Sequence, residues 1–341
     1  MNTNIYRNIK LVLSAAAAGL LVLSSCSKWT EPEALDFAGM GDIAADSEEY
    51  LSALRAFKQT DHKVMILGMD ATAEQPFSRF QHISAMPDSA DYICVRNAVS
   101  GIYPAIAEEI APVRQNKGTK VICDVDYMAI SDAWDAIEDA KEDGEAPGTD
   151  DEFVAYVAEN TAAALACCDK YGFDGIMVSY RGIRSGNGTI GQEAYMAEIA
   201  EWRASHPDDV MIFSGNTLNV IDKTFFSDCD YVVIPAGTDY SSGQFNSVLS
   251  RYCASLDDEV KQRIVLEVNV PSEDYPQQEG YEPQPIEAAA WVLEEDTRYG
   301  RAGLCVDNVQ EDYLVTNTFS TVRKAITIMN TASSAGDEAA E

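Results

Sequence analysis

The sequence predicts an α/β fold, a single (β/α)8 TIM barrel. Three observations predict it. Eight short runs rich in Val, Ile and aromatic residues recur along the chain: Val64–Met69, Tyr92–Asn97, Lys120–Asp126, Phe173–Tyr180, Val210–Asn216, Tyr231–Ala236, Arg263–Val270 and Gly303–Asn308. They lack the strict alternation of a half-solvated sheet, so they read as parallel strands covered on both faces. Helical patterns separate them, and eight strand–helix units over about 290 residues fit one closed barrel. An open doubly wound sheet is the alternative.

The elements follow in order. Ser47 caps an amphipathic stretch, EEYLSALRAFK, that reads as a helix. Further helical patterns cover Pro104–Asn116, Asp151–Tyr171, Gln192–Ser205, Phe245–Lys261, Pro285–Glu295 and Glu311–Met329, with shorter pieces near Phe77–Ser84 and Lys223–Ser227. Gly118, Gly172 and Gly300 fall where helix C-caps are expected. Tyr127–Thr149 reads as a long loop after the third strand, on the face where barrel sites sit.

Composition narrows the function. With 46% apolar residues, the 341-residue chain can bury a large core. Its 24 Lys and Arg face 56 Asp and Glu, a net charge of −32. That surface repels phosphate backbones, so no nucleic-acid partner is expected, nor docking on anionic lipid by charge. His62, His82 and His206 are too scattered for a His-based metal site, and no metal is expected. Cys94, Cys123, Cys167, Cys168, Cys229, Cys253 and Cys305 lie in or beside apolar runs without a CxxC pair, and read as buried free thiols. Gly186–Gly191 fits GxGxxG. The preceding strand, however, ends six residues early near Tyr180, and the next one ends Ser214-Gly215-Asn216 without an acid. No dinucleotide or other cofactor is therefore expected.

Residues 1–25 read as a signal peptide. Arg7 and Lys10 precede an apolar run, Leu11 to Leu23, too short to span a bilayer. Leu23-Ser24-Ser25-Cys26 resembles a bacterial lipobox. The resemblance implies cleavage before Cys26 and lipidation of its thiol, an anchor worth about 0.8 kcal/mol per buried methylene. Residues 26–43 are then lipidated Cys and tether, 44–330 the barrel, and 331–341 an acidic disordered tail.

Lys170-Tyr171-Gly172-Phe173-Asp174-Gly175-Ile176-Met177-Val178-Ser179-Tyr180-Arg181 is the most informative segment. A helix ends at KYG and a strand begins at FDG. The period of two puts positions 177, 179 and 181 on one face, toward the barrel mouth. The segment resembles the fourth strand of family 18 glycoside hydrolases, DGxDxDxE. In that family the last Glu is the general acid, and the preceding Asp helps the substrate's N-acetyl group attack the anomeric carbon. Asp174 matches the first Asp, Gly175 the Gly, and Tyr180 the aromatic that often precedes the Glu. Met177, Ser179 and Arg181 stand where the second acid, the assisting Asp and the acid Glu belong. An Arg stays protonated and donates no proton to a leaving oxygen. A Ser lacks the charge that steadies an oxazolinium ion. The third strand departs too, with Cys123-Asp124-Val125-Asp126-Tyr127 in place of a Ser- and Gly-rich motif. The resemblance implies the family's fold with its catalytic set lost.

The remaining strand ends supply Asp124 and Asp126 on one face, Glu267 and Asn269 on another, and Asp307. They are expected to form a hydrogen-bonded polar ring at the mouth, suited to sugar hydroxyls. The expected ligand-binding set is Asp126, Tyr127, Tyr180, Arg181, Asn216, Glu267, Asn269 and Asp307. Tyr127, Trp134, Tyr180, Tyr240 and Tyr275 are the candidate sugar platforms. The lipobox, the Trp29-Thr30-Glu31-Pro32-Glu33 start and the degenerate strand together resemble family-18-like lipoproteins of glycan-uptake systems in Gram-negative gut anaerobes. That implies a lipid-anchored, outward-facing outer-membrane protein. It would capture an N-glycan or another N-acetylglucosamine-containing oligosaccharide without cleaving it. An outer-membrane glycan importer and its companion binding lipoprotein would be its partners. The alternative is an active endo-β-N-acetylglucosaminidase with relocated carboxylates, Asp126 and Glu267 serving as acid and base.

Overall fold

Continuous apolar runs need cover on both faces, and closure of the sheet provides it. The computed structural model describes residues 46–331, apart from 143, 183–186, 238–240, 275, 277–278, 297 and 317. Among the described residues, eight parallel strands pair in chain order: β1 (Val64–Asp70), β2 (Tyr92–Arg96), β3 (Lys120–Asp126), β4 (Gly175–Tyr180), β5 (Val210–Gly215), β6 (Tyr231–Pro235), β7 (Ile264–Val268) and β8 (Gly303–Val306). Val64 opposite Gly303 joins β1 to β8 and closes the barrel, which removes the open-sheet alternative. Ile66, Cys94, Ile122, Met177, Ile212, Val233, Val265 and Cys305 fill the lumen. Their strand neighbours, such as Leu67, Val95, Val178, Phe213 and Leu266, face the helices. Tyr92 and Tyr231 floor the lumen edge to face, 5.8 Å apart.

Ser47 caps α1 (Glu48–Phe57), its hydroxyl accepting from the Tyr50 amide. The expected Pro104 helix forms in two pieces, α2 (Pro104–Ala107) and α3 (Ile110–Lys117). Between them Glu109 turns its carboxylate to His82 and the Ser84 amide. Most of the expected long loop after β3 is instead a helix, α4 (Tyr127–Asp139). Asp126 ends the strand and caps the helix at once, accepting from the Met128 amide at 2.8 Å. Next come α5 (Asp150–Tyr171), opened by a Thr149–Glu152 capping box, and α6 (Asn187–Ser205). Then follow α7 (Ser242–Tyr252), α8 (Asp258–Lys261) and α9 (Gln284–Val292). The last expected helix is divided into α10 (Val309–Thr316) and α11 (Ser320–Thr331). The buried Asp312 carboxylate accepts from the Thr321 and Val322 amides and so starts α11 anew.

Gly118 and Gly172 cap α3 and α5 in the left-handed region, as expected. Gly300 does not cap a helix; a Cβ there would meet the Gln262 carbonyl oxygen at 2.1 Å, so it serves close backbone approach. The seven cysteines among the described residues are free and buried. No helix among the described residues is long and apolar enough to cross a membrane. The signal peptide, Cys26, the tether and residues 332–341 of the tail lie outside the described residues.

The barrel mouth as candidate functional site

Above the apolar layer, inward strand positions turn polar at the C-terminal ends. Asp70 comes from β1, Arg96 from β2, Asp124 and Asp126 from β3, and Ser179 from β4 with Arg181 just beyond. Ser214 comes from β5, Glu267 from β7, and Asp307 follows β8. Five carboxylates and two guanidinium groups thus share the mouth. Met177 stays below, packed in the apolar layer with its sulfur 3.7 Å from the Cys94 thiol.

Three contacts organise this ring. Arg181 Nη2 lies 2.7 Å from both carboxylate oxygens of Glu267, and Ser214 Oγ adds a hydrogen bond to Oε2 at 3.2 Å. Arg96 Nη1 donates to Asp307 at 2.7 Å, and its Nε lies 3.1 Å from Asp70. Ser179 Oγ donates to Asp124 at 2.6 Å. Gly68 makes room for this crowding, since a Cβ there would meet Asp307 at 2.7 Å.

Burial sets the protonation states. It pushes the Asp124 carboxyl up to about 7, helped by the Asp126 charge and opposed by the Ser179 hydrogen bond. Asp126 is raised by burial too, while the Met128 and Ala129 amides pull it down. Glu267, only 5% exposed, is pushed up by burial against the pull of Arg181. Glu267 is therefore committed to Arg181, and Asp126 to the start of α4. Asp124, pushed up to about 7 by burial, is a mouth carboxyl that can carry a proton near neutrality. Among the described residues no cluster of His, Cys, Asp and Glu is arranged to hold a metal ion.

The expected site residues separate on this frame. Asp126, Arg181, Glu267 and Asp307 gather in the mouth. Asn216 lies two residues beyond Ser214, half-buried, and caps the turn at Thr217–Asn219 through the Leu218 amide. Asn269 is exposed beyond β7, where its own amide donates to Gln284. Tyr127 and Tyr180 are not sugar platforms. Tyr180 occupies an outward strand position and Tyr127 the first turn of α4, so both rings are buried, 4.9 Å apart, beside Tyr195. Trp134 packs on Phe153 and Tyr156. Tyr240 and Tyr275 lie outside the described residues, as does Gly186. Sequence reasoning missed Asp70, Arg96 and Ser214; extending the period-two count to every strand end would have found them. It also missed an aromatic row in the segments after β1 and β8, in which the exposed Phe77 leads to the half-buried Phe80 and Tyr313.

A closed (β/α)8 barrel whose fourth strand presents positions 179 and 181 to a polar mouth, above Met177 in the apolar layer, has the layout of a glycosidase-type barrel. Residues 30–328 match glycoside hydrolase family 18, BT1044-like, and the chain belongs to that family. No curated protein matches the sequence significantly. A substituted form of BT1044 is similar in structure, with 15% identity and a TM-score of 0.58, over 86% of this chain and 95% of that one. The apo endo-β-N-acetylglucosaminidase from Cordyceps militaris shows 17% identity and a TM-score of 0.59, over 83% and 96% of the two chains. A doubly substituted form of that enzyme, in complex with fucosyl-N-acetylglucosamine-Asn, shows 16% identity and a TM-score of 0.60 over the same shares. At these identities the likeness is one of fold.

Proposed function

We propose that the protein is a lipid-anchored glycan-binding member of family 18 that captures an N-acetylglucosamine-containing oligosaccharide and does not hydrolyse it. The observation that carries this reading is the Arg181–Glu267 pair: the position of the family's general acid holds a cation, and that cation is engaged across the mouth. Loss of general acid catalysis alone costs about 10² to 10⁴ in rate, and the neutral Ser179 compounds it. The similar fold of an endo-β-N-acetylglucosaminidase, solved with fucosyl-N-acetylglucosamine-Asn, supports the ligand class. The lipobox at Cys26 supports an outer-membrane anchor facing outward, with a glycan importer and its binding lipoprotein as partners.

The test incubates the purified protein with chitin oligosaccharides and N-glycoproteins, and follows released glycans by mass spectrometry. No release is expected, and Arg181→Glu should not restore it. The second reading is hydrolysis by relocated carboxylates: Asp126 and Glu267, the expected pair, are engaged by the Met128 amide and by Arg181, which leaves Asp124, hydrogen-bonded by Ser179 at 2.6 Å and pushed up to about 7 by burial, as the candidate acid. Release that disappears in Asp124→Asn or Glu267→Gln would establish that reading instead. Membrane partitioning of Cys26→Ala tests the anchor: unchanged association would defeat it.

A further inference from the structure

Phe77 is 84% exposed, far more than any neighbouring aromatic. Its position is nevertheless fixed. The Phe77 and Ser78 amides both donate to Gln81 Oε1, at 2.9 and 3.2 Å, which pins the backbone that carries the ring. The ring meets Phe80 edge to face at 5.9 Å, Phe80 lies 6.0 Å from Tyr313, and Tyr313 is rooted on the buried Phe319 at 5.2 Å. The row thus climbs from the core to solvent. It joins the segment after β1 to α10 after β8, and these strands are neighbours in the barrel. Asp70, Arg96 and Asp307 end the strands of this same side. Asp70 and Asp307 keep 52% and 31% of their side chains accessible, so acceptor lone pairs remain free for hydroxyl donors.

We propose that this row and the Asp70–Arg96–Asp307 cluster form a saccharide-binding subsite for an uncharged oligosaccharide, apart from the degenerate β4 positions. The proposal deepens the glycan-binding reading above and rests on it. A pyranose offers one apolar C–H face and a rim of hydroxyls. An exposed, held aromatic ring matches the first, and planar carboxylate and guanidinium groups match the second. Charge selects within the class. Besides Asp124, the mouth carries four carboxylates against two guanidinium groups that are already paired, in a chain of net charge −32. A sialylated or sulfated glycan would meet repulsion there, whereas a neutral one meets hydrogen-bond acceptors.

The experiment titrates the full chain with chitotetraose, a high-mannose N-glycan, a galactose-terminated biantennary N-glycan and the sialylated form of the latter, by calorimetry. Phe77→Ala should weaken the neutral ligands at least about tenfold. Phe77→Trp should keep or improve binding. Ile137→Ala, which trims an exposed apolar residue on α4, should leave it unchanged. The sialylated glycan should bind more weakly than its neutral parent. If the wild type binds a neutral glycan and Phe77→Ala binds it equally well, the subsite is overturned and the glycan-binding reading stands. If sialylation improves binding, the charge selection is overturned. If the wild type binds no saccharide of the set, both the subsite and the reading beneath it fall.

Discussion

The two halves of the mouth use the same chemistry, an arginine paired with carboxyl groups, to opposite ends: one acid on one side, two on the other. On the β4–β7 side, Arg181 meets one deeply buried carboxylate, and Ser214 completes its hydrogen bonds. On the β8–β1–β2 side, Arg96 lies between two carboxylates that both reach solvent. The first arrangement satisfies its buried acid within the fold. The second leaves acceptor capacity open on the side of the barrel that carries the exposed Phe77. Burial of the acid, rather than the presence of an ion pair, separates a plug from a displayed surface.

The largest expected effect breaks the closed half. Arg181→Ala leaves Glu267 buried without its cation. Losing one partner of a buried pair costs about 3–5 kcal/mol, and the half-exposed guanidinium places this case near the lower end, about 3 kcal/mol. Adding Glu267→Gln should recover more than half of that loss, because the stranded charge is removed. Urea denaturation of the three proteins measures both numbers. A loss below about 0.5 kcal/mol would mean that Glu267 is hydrated or protonated in the fold, and the contrast between the halves would fail.

The next effect reads the ring between the halves through pH. Asp124 sits at about 7 against an ordinary value of 3.8, so the folded chain holds that proton more tightly than the unfolded one. The stabilising contribution is complete below about pH 4 and is lost as the pH rises through about 7. Within that window it lowers stability by up to about 1.4 kcal/mol per pH unit. Asp126 is raised in the same direction, so its contribution follows the same trend. Asp124→Asn keeps an acceptor for Ser179 and removes the titration. Its stability should therefore vary less between pH 5 and pH 8, and at pH 8 it should exceed that of the wild type. Equal pH slopes in the two proteins would show that Asp124 titrates normally.

The strands were legible because helices cover one face and the lumen contents the other, leaving long apolar runs without polar gaps. Positions 177, 179 and 181 were legible for the same geometric reason. Helix α4 was not, because no linker residue separates it from β3: Asp126 is both the last strand residue and the cap. The break between α10 and α11 carries no Gly or Pro among the described residues; Asp312 makes it from a turn away, and Phe319 accepts a positive φ of 54°. Period two places Tyr180 toward the helices, which is why its ring is buried rather than displayed as a sugar platform. Arg96 and Asp307 lie 211 residues apart, a pairing that only closure of the barrel creates.

Arg96→Ala opens the other half at lower cost. Asp70 and Asp307 gain water in place of the guanidinium, so a loss of about 1 kcal/mol is expected, shrinking in high salt. A loss matching that of Arg181→Ala would erase the distinction between a plug and a displayed surface.

Phe77→Ala sharpens the comparison with the smallest expected change. A phenylalanine removed from a core costs about 3–5 kcal/mol, because both its burial and its cavity are lost. At 84% exposure Phe77 has little burial to lose, and its removal leaves no cavity. The contact with Phe80 is an edge-to-face pair worth about 0.5–1.5 kcal/mol at full burial, and less at a solvent-exposed site. The backbone bonds to Gln81 do not depend on the side chain of residue 77. Stability should thus change by less than about 0.5 kcal/mol, the range of ordinary surface substitutions. Thermal and urea unfolding decide it. A loss above about 2 kcal/mol would mean that Phe77 packs in the folded protein as part of the core. A ring that stabilises the fold in that way would need no ligand to account for it, and the open half of the mouth would lose its platform.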